Sequence, residues 1–187
     1  MNKERYLFVI SGPSGSGKDS VVRELQKKHK EIETTISATT RAMRGGEKDG
    51  EDYYFISREE FERRRDAGDV LEYTEYCGNY YGTLRSEIDR RLEKGVTTFL
   101  VIDVVGAQSM KRTYPGCTTI FVRPPSYEEL SRRLHKRETE DEDTIQKRLA
   151  RALEEMEYAV DYDYLVVNDE LDDCVEEVYQ IVCQRQA

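Results

Sequence analysis

The chain has 187 residues, a formal net charge of −9 and no Pro/Gly/Ser-rich linker, so a single domain over 1–187 with a sizeable core is expected. The acidic balance argues against a general nucleic-acid binder, and the absence of a long apolar run argues against a membrane span. "MNKER" leads straight into "YLFVI", too short for a signal-peptide core, and four cysteines (Cys77, Cys117, Cys174, Cys183) without C-x-x-C spacing read as reduced thiols of a cytoplasmic protein.

In chain order, "RYLFVIS" (5–11) is a continuous apolar run bounded by Gly and Pro, the pattern of a strand buried on both faces of a parallel sheet. The loop "GPSGSGKD" follows, then a helix with Val21, Val22 and Leu25 on one face. The stretch 34–83 changes texture: it is rich in Thr, Tyr and Gly, with short runs "DYYFI" and "VLEYTEY" around a helix "SREEFERRRDAG". Ser57 and Glu60 form a capping box there. This pattern predicts a small mixed-sheet insertion, a natural place for a second substrate.

Beyond it, "LRSEIDRRLEKG" predicts a helix closed by Gly95, "TTFLVIDVV" (97–105) a buried strand, and "CTTIFV" (117–122) another. "SYEELSRRLHKR" is a helix opened by a Ser126/Glu129 capping box. The acidic "ETEDEDT" (138–144) predicts a solvated loop, followed by a long helix from about Thr144 to Val160, a strand in "DYLVVND" (163–169) and a last helix, "LDDCVEEVYQIVCQR". Strands alternating with helices imply right-handed crossovers onto a mostly parallel sheet.

The loop carries the first chemistry. G-x-x-x-x-G-K-[ST] is a phosphate-binding pattern, and Gly12, Gly17 and Lys18 satisfy it between a strand and a helix. Backbone N–H groups from Gly12 to Ser20, through Ser14, Gly15 and Ser16, can turn toward phosphate oxygens, while Lys18 reaches the β/γ-phosphates. The plainer reading is a Gly/Ser turn that caps a helix. The residue after the lysine is Asp19 where the pattern has Ser or Thr. Arginines at loop edges (Arg41, Arg44, Arg137, Arg148) suit phosphoryl transfer, which needs positioned positive charge, although any one of them could be an ordinary surface residue.

The stretches "ISATTRAMRGGEKDGEDYYFI", "VLEYTEYCGNYYGT", "IDVVGAQ", "RRLHKRETEDEDTIQKRLARALEEM" and "YDYLVVND" resemble guanylate kinases in family order over about Arg5 to Gln184. The resemblance implies an α/β P-loop three-layer fold with a mostly parallel sheet. Its core would cover about 1–33, 84–135 and 149–187, with a GMP-binding insertion at about 34–83 and a mobile lid at about 136–148. It also implies ATP and GMP as substrates, ADP and GDP as products, and Mg²⁺.

By the same resemblance, Arg41, Arg44, Tyr53 and Tyr81 match residues that hold the GMP phosphate. Ser37, Glu72, Thr83 and Asp103 match those around guanine, and Asn168 matches one near the ATP base. Lys18, Arg44, Arg137 and Arg148 match the catalytic cations. Guanine presents N1–H and N2–H₂ donors that Glu72 can accept and an O6 that Ser37 or Thr83 can meet; adenine presents the reverse.

Four positions depart from the family pattern: Asp19; Val101 and Val105 in "VIDVVGA", where D-I-D-x-Q-G-A is usual; and Glu138. One carboxylate is lost at Val101 and one gained at Asp19. Asp19 would therefore serve Mg²⁺, or alternatively act as a helix-start residue with Ser20 supplying the metal hydroxyl. Two other readings share parts of the pattern. A ribose 1,5-bisphosphate phosphokinase has a similar loop, and a non-catalytic guanylate kinase-like binding module has a similar body.

Overall fold

The computed structural model describes residues 3–136 and 141–187. A 3₁₀ turn at Lys3–Tyr6 opens into β1 (Leu7–Ser11), the glycine loop and α1 (Lys18–Lys28). Then come β2 (Ile32–Thr34), β3 (Ala38–Thr39), β4 (Tyr54–Phe55), α2 (Arg58–Asp66), β5 (Val70–Tyr76) and β6 (Asn79–Leu84). The second half runs α3 (Arg85–Glu93), β7 (Thr97–Val101), α4 (Val104–Thr113), β8 (Thr118–Arg123), α5 (Tyr127–His135) and α6 (Glu142–Glu157). A 3₁₀ turn at Tyr158–Asp161, β9 (Tyr164–Val167) and α7 (Leu171–Gln186) complete the chain.

The larger sheet has the order β2-β7-β1-β8-β9, and all its pairings are parallel. The apolar run of β1 is sandwiched, as its lack of alternation predicts. Phe8 and Ile10 pack on one face with Val22 and Leu25 of α1 and Val178 of α7. Leu7 and Val9 pack on the other with Ile88 of α3 and Met110 of α4. This three-layer arrangement puts the C-terminal ends of β1 and β7 at the crevice where ligands of open α/β sheets bind. No described helix is long and apolar enough to cross a membrane.

The mixed sheet β4-β3-β6-β5 grows out between β2 and α3. It covers fully buried Phe61 of α2, which stacks on Tyr80 with ring centroids 5.1 Å apart. Glu87 of α3 ties this insertion to the core. Its buried carboxylate accepts from the Ile36 N–H (3.1 Å) and the Tyr54 hydroxyl (2.8 Å) and pairs with Arg90 and Arg91.

Three sequence expectations are corrected. The run 97–105 is not one strand: β7 stops at Val101, and Val104–Val105 open α4, because the Asp103 side chain caps the Gly106 N–H at 2.8 Å. The acidic stretch 138–144 is not loop throughout. Asp141 caps the Thr144 N–H at 2.8 Å, and Glu142 and Asp143 sit in the first turn of α6, where the helix dipole favours them. The long helix ends at Glu157 instead of about Val160, giving way to a 3₁₀ turn. Within the expected lid at 136–148, residues 137–140 lie outside the described residues, and with them Arg137 and Glu138.

Candidate active site

The loop from Gly12 to Lys18 turns on glycines that nothing else could replace. A Cβ on Gly12 would lie 2.0 Å from the Val122 carbonyl oxygen, so the loop and β8 touch backbone to backbone. Gly17 is left-handed (φ 87°), and a Cβ there would lie 2.3 Å from Asn168 Nδ2. As the cap residue of α1, Gly17 offers no side-chain acceptor, so the first-turn N–H groups face the loop without one.

Asn168, at the end of β9, is buried, and its Nδ2 donates to the Ser16 carbonyl at 2.8 Å. Arg133 of α5 reaches the same place, with Nη2 2.9 Å from the Asn168 carbonyl and Nη1 3.4 Å from that of Ser16. Sequence reading missed Arg133: in the tandem "RR" of 132–133 both residues pair with Glu129, and only the fold tells which one turns inward.

A cleft of about 670 Å³ opens above this loop, walled by Gly12, Ser14, Lys18 and Asp19 on one side and by Arg148 of α6 on another. Arg148 hydrogen-bonds the Ser14 hydroxyl, and Asp103 borders the same cleft. Val101 does too, and with Asp19, Thr35 and Ser37 it also lines a smaller hollow of about 250 Å³. The lost and gained carboxylate positions thus face one space. Arg151 and Glu155 of α6 also wall the cleft and were not singled out by the sequence.

Of the residues expected around the acceptor base, Glu72, Thr83 and Asp103 come together between the two sheets, whereas Ser37 lines the smaller hollow with Asp19 and Val101. Thr83 of β6 donates its hydroxyl to Glu72 Oε1 of β5 at 2.6 Å. A Cβ on Gly106 would lie 3.4 Å from both Asp103 Oδ1 and Glu72 Oε2, so these carboxylates flank that glycine. Burial, with the Asp103 charge nearby, raises the Glu72 carboxyl above its ordinary range. A hollow of about 390 Å³ adjoins them, with Val105 on its wall.

The residues expected at the acceptor phosphate lie on the insertion. Arg41 stands 5.5 Å above the Tyr53 ring, and Tyr53 meets Tyr81 edge-on with ring centroids 6.0 Å apart. Glu47 locks Arg41 in a two-point ion pair (2.8 and 2.9 Å) and accepts the Arg44 N–H at 2.7 Å. The two arginines hold the Glu47 carboxyl down at about 2. Sequence reading passed over Glu47; its signal was a carboxylate three residues beyond Arg44 on a Gly-Gly turn. Arg44 itself is exposed, and neither it nor Arg41 walls the P-loop cleft among the described residues. The structure therefore gathers predicted residues in three places: the glycine-loop cleft of the core, the seam where Glu72 and Thr83 meet Asp103, and the Arg41–Tyr53–Tyr81 cluster on the insertion.

A parallel sheet layered by helices, with a glycine loop joining its central strand to a helix and a lysine at the cleft, defines the P-loop class of nucleotide-binding proteins. Comparison with known proteins narrows this. A family model described as guanylate kinase matches residues 4–185. A guanylate kinase from Desulfitobacterium hafniense (strain Y51) is 46% identical over 176 residues, covering 94% of this chain and 88% of the relative. One from Synechocystis sp. (strain ATCC 27184 / PCC 6803 / Kazusa) is 42% identical over 180 residues, covering 96% and 94%. The crystal structure of guanylate kinase from Anaplasma phagocytophilum superimposes with a TM-score of 0.73 at 35% identity, covering 96% of this chain and 85% of that one. The chain belongs to the guanylate kinase family of ATP-dependent nucleoside monophosphate kinases.

Proposed function

We propose that this protein transfers the γ-phosphoryl group of ATP to GMP in the cytoplasm, without nucleic-acid or membrane partners. An oxygen of the GMP phosphate attacks Pγ, the bond from Pγ to the β,γ-bridging oxygen breaks, and ADP leaves. The glycine loop, Lys18 and Arg148 hold the donor phosphates, with Arg137 in the same cationic set. Arg41, Arg44, Tyr53 and Tyr81 hold the acceptor phosphate, and Ser37, Glu72, Thr83 and Asp103 read the base. Asn168 sets the loop beside the donor.

The observation that carries the acceptor reading is Glu72. Its carboxylate is half-buried and faces Asp103, and among the described residues the one side-chain donor bonded to it is the Thr83 hydroxyl. Such a group calls for the paired N–H donors of a guanine edge. A sugar bisphosphate has no base to offer, and a module without catalysis would not need Lys18 and Arg148 on one cleft.

The core-side donor set suits Mg²⁺. Asp19 supplies a hard oxygen beside Lys18, on the same space where Val101 has no oxygen to give. Bound there, Mg²⁺ would neutralise charge on the β- and γ-phosphates.

The test is ADP release from Mg·ATP with GMP, dGMP, AMP and ribose 1,5-bisphosphate offered in turn. Turnover with GMP far above AMP is expected. Turnover with the sugar bisphosphate alone, or silence with every acceptor, would overturn the proposal.

A further inference from the structure

Thr144, Arg148, Arg151 and Glu155 follow one another along α6 at spacings of 4, 3 and 4. At 3.6 residues per turn they fall within a strip about 60° wide. All four wall the cleft above the glycine loop, opposite Lys18 and Asp19. Arg148 already reaches that loop through Ser14. Arg151 stands about 4.5 Å further along the helix axis on the same strip.

Glu155 is the odd member. Its side chain is only 12% exposed, and a carboxylate on the wall of a phosphate cleft would repel the ligand. Arg151 offsets it, with Nε 2.9 Å from Glu155 Oε1, while its own side chain remains 68% exposed. Helix stability does not explain this pair. The arginine precedes the glutamate, the less favourable order at i,i+4, and an ion pair so open to solvent contributes little. The geometry makes sense as aim. The pair engages Nε, and among the described residues Nη1 and Nη2 carry no hydrogen bond, which leaves a fork that suits a phosphate oxygen pair.

We propose that Arg151 is a further phosphate-binding residue, contacting the donor polyphosphate beside Arg148, and that Glu155 is its positioning residue. The proposal rests on the nucleotide kinase reading. Both the acceptor base and the metal stand outside it.

The experiment uses the full chain as wild type, Arg151→Ala, Arg151→Lys, Glu155→Gln and the double variant Arg151→Ala/Glu155→Gln. ATP affinity is measured by calorimetry without GMP, and KM for each substrate is measured separately. Arg151→Ala should weaken ATP binding and raise KM for ATP about tenfold, the loss of one charge-assisted contact, with KM for GMP unchanged. Arg151→Lys should recover part of the loss, since it keeps the charge without the fork. Glu155→Gln should raise KM for ATP by less than Arg151→Ala does. The double variant separates contact from unmasked repulsion, and it should stay as weak as Arg151→Ala. Recovery of wild-type affinity in the double variant would overturn the proposal, as would an effect confined to GMP, or wild-type ATP affinity in Arg151→Ala. Failure of the underlying reading looks different, because the wild type itself would then neither bind ATP nor turn over.

Discussion

The side-chain amide of Asn168 donates to the carbonyl oxygen of Ser16 across 2.8 Å, joining the end of β9 to the middle of the glycine loop. The bond anchors one carbonyl of the loop whose Gly12, Ser14 and Lys18 wall the cleft. Asn168→Ala removes a buried donor and leaves the Ser16 carbonyl with only the longer Arg133 bond, a cost of about 1–2 kcal/mol. A higher KM for ATP, an unchanged KM for GMP and a lower melting temperature are expected. Equal effects on both substrates would argue that Asn168 serves the fold and not the loop.

Glu72 sets function against stability. Its folded carboxyl is raised by burial, so folding becomes less favourable as pH climbs from the unfolded value through the folded one. Glu72→Gln should therefore raise the melting temperature of the ligand-free protein at pH 7, with the gain vanishing below about pH 4, where both forms are neutral. The same change should raise KM for GMP about 10- to 150-fold, the loss of a charged hydrogen-bond acceptor. Thermal melts across pH, read beside acceptor kinetics, check both halves.

Glu47 makes a pH prediction of opposite sign. With the carboxyl held at about 2, its contribution is fully present above pH 4.5 and fades as pH falls toward 2. Acceptor-loop order, followed through tyrosine fluorescence, should survive mild acid. Glu47→Gln should raise KM for GMP several-fold while sparing ATP, because Arg41 loses the partner that aims it.

Glu87 predicts a purely structural failure. It is 3% exposed and serves the Ile36 N–H, the Tyr54 hydroxyl, Arg90 and Arg91 at once. Glu87→Ala leaves the partly buried Ile36 N–H and Tyr54 hydroxyl without this acceptor and the near-buried Arg91 guanidinium with Glu33 alone, which should cost about 3 kcal/mol in urea unfolding.

Asp19 is tested at the metal. Mn²⁺ binding in the presence of ATP, followed by electron paramagnetic resonance, should weaken in Asp19→Ala. Asp19→Ser, which restores the usual hydroxyl, should bind the ion better than the alanine variant. Equal Mn²⁺ affinity in wild type and Asp19→Ala would leave Asp19 as a helix-start residue.

How far the sequence could be read depended on range. β1, its loop and α1 were legible because an apolar run, glycines and a lysine lie side by side. α4 was not, since Val104 and Val105 continue a β-branched run and the capping role of Asp103 shows only when the chain turns. The acceptor pocket was legible only through family resemblance: Glu72 and Thr83 are neighbours across a hairpin, but Asp103 and Gly106 arrive from another sheet. Glu87 was legible only in part: Arg90 and Arg91 follow it at helical spacing, but its partners at 36 and 54 are brought to it by packing alone. Residues on one face of a long helix, such as Arg148 and Arg151, could be grouped by periodicity, yet only the fold shows which face meets the cleft.

Glu72 rides on the insertion's sheet, whereas Asp103 stands at the end of β7 in the core. Any small molecule gripped by both is a strut between two separately packed bodies, and its binding energy becomes rigidity of the whole. At a concentration a hundredfold above its dissociation constant, such a strut adds about 2.7 kcal/mol to the folded state. Occupancy of a nucleotide-sized hollow would then set how long the protein survives heat and proteolysis, and the supply of its acceptor would regulate its lifetime as well as its rate.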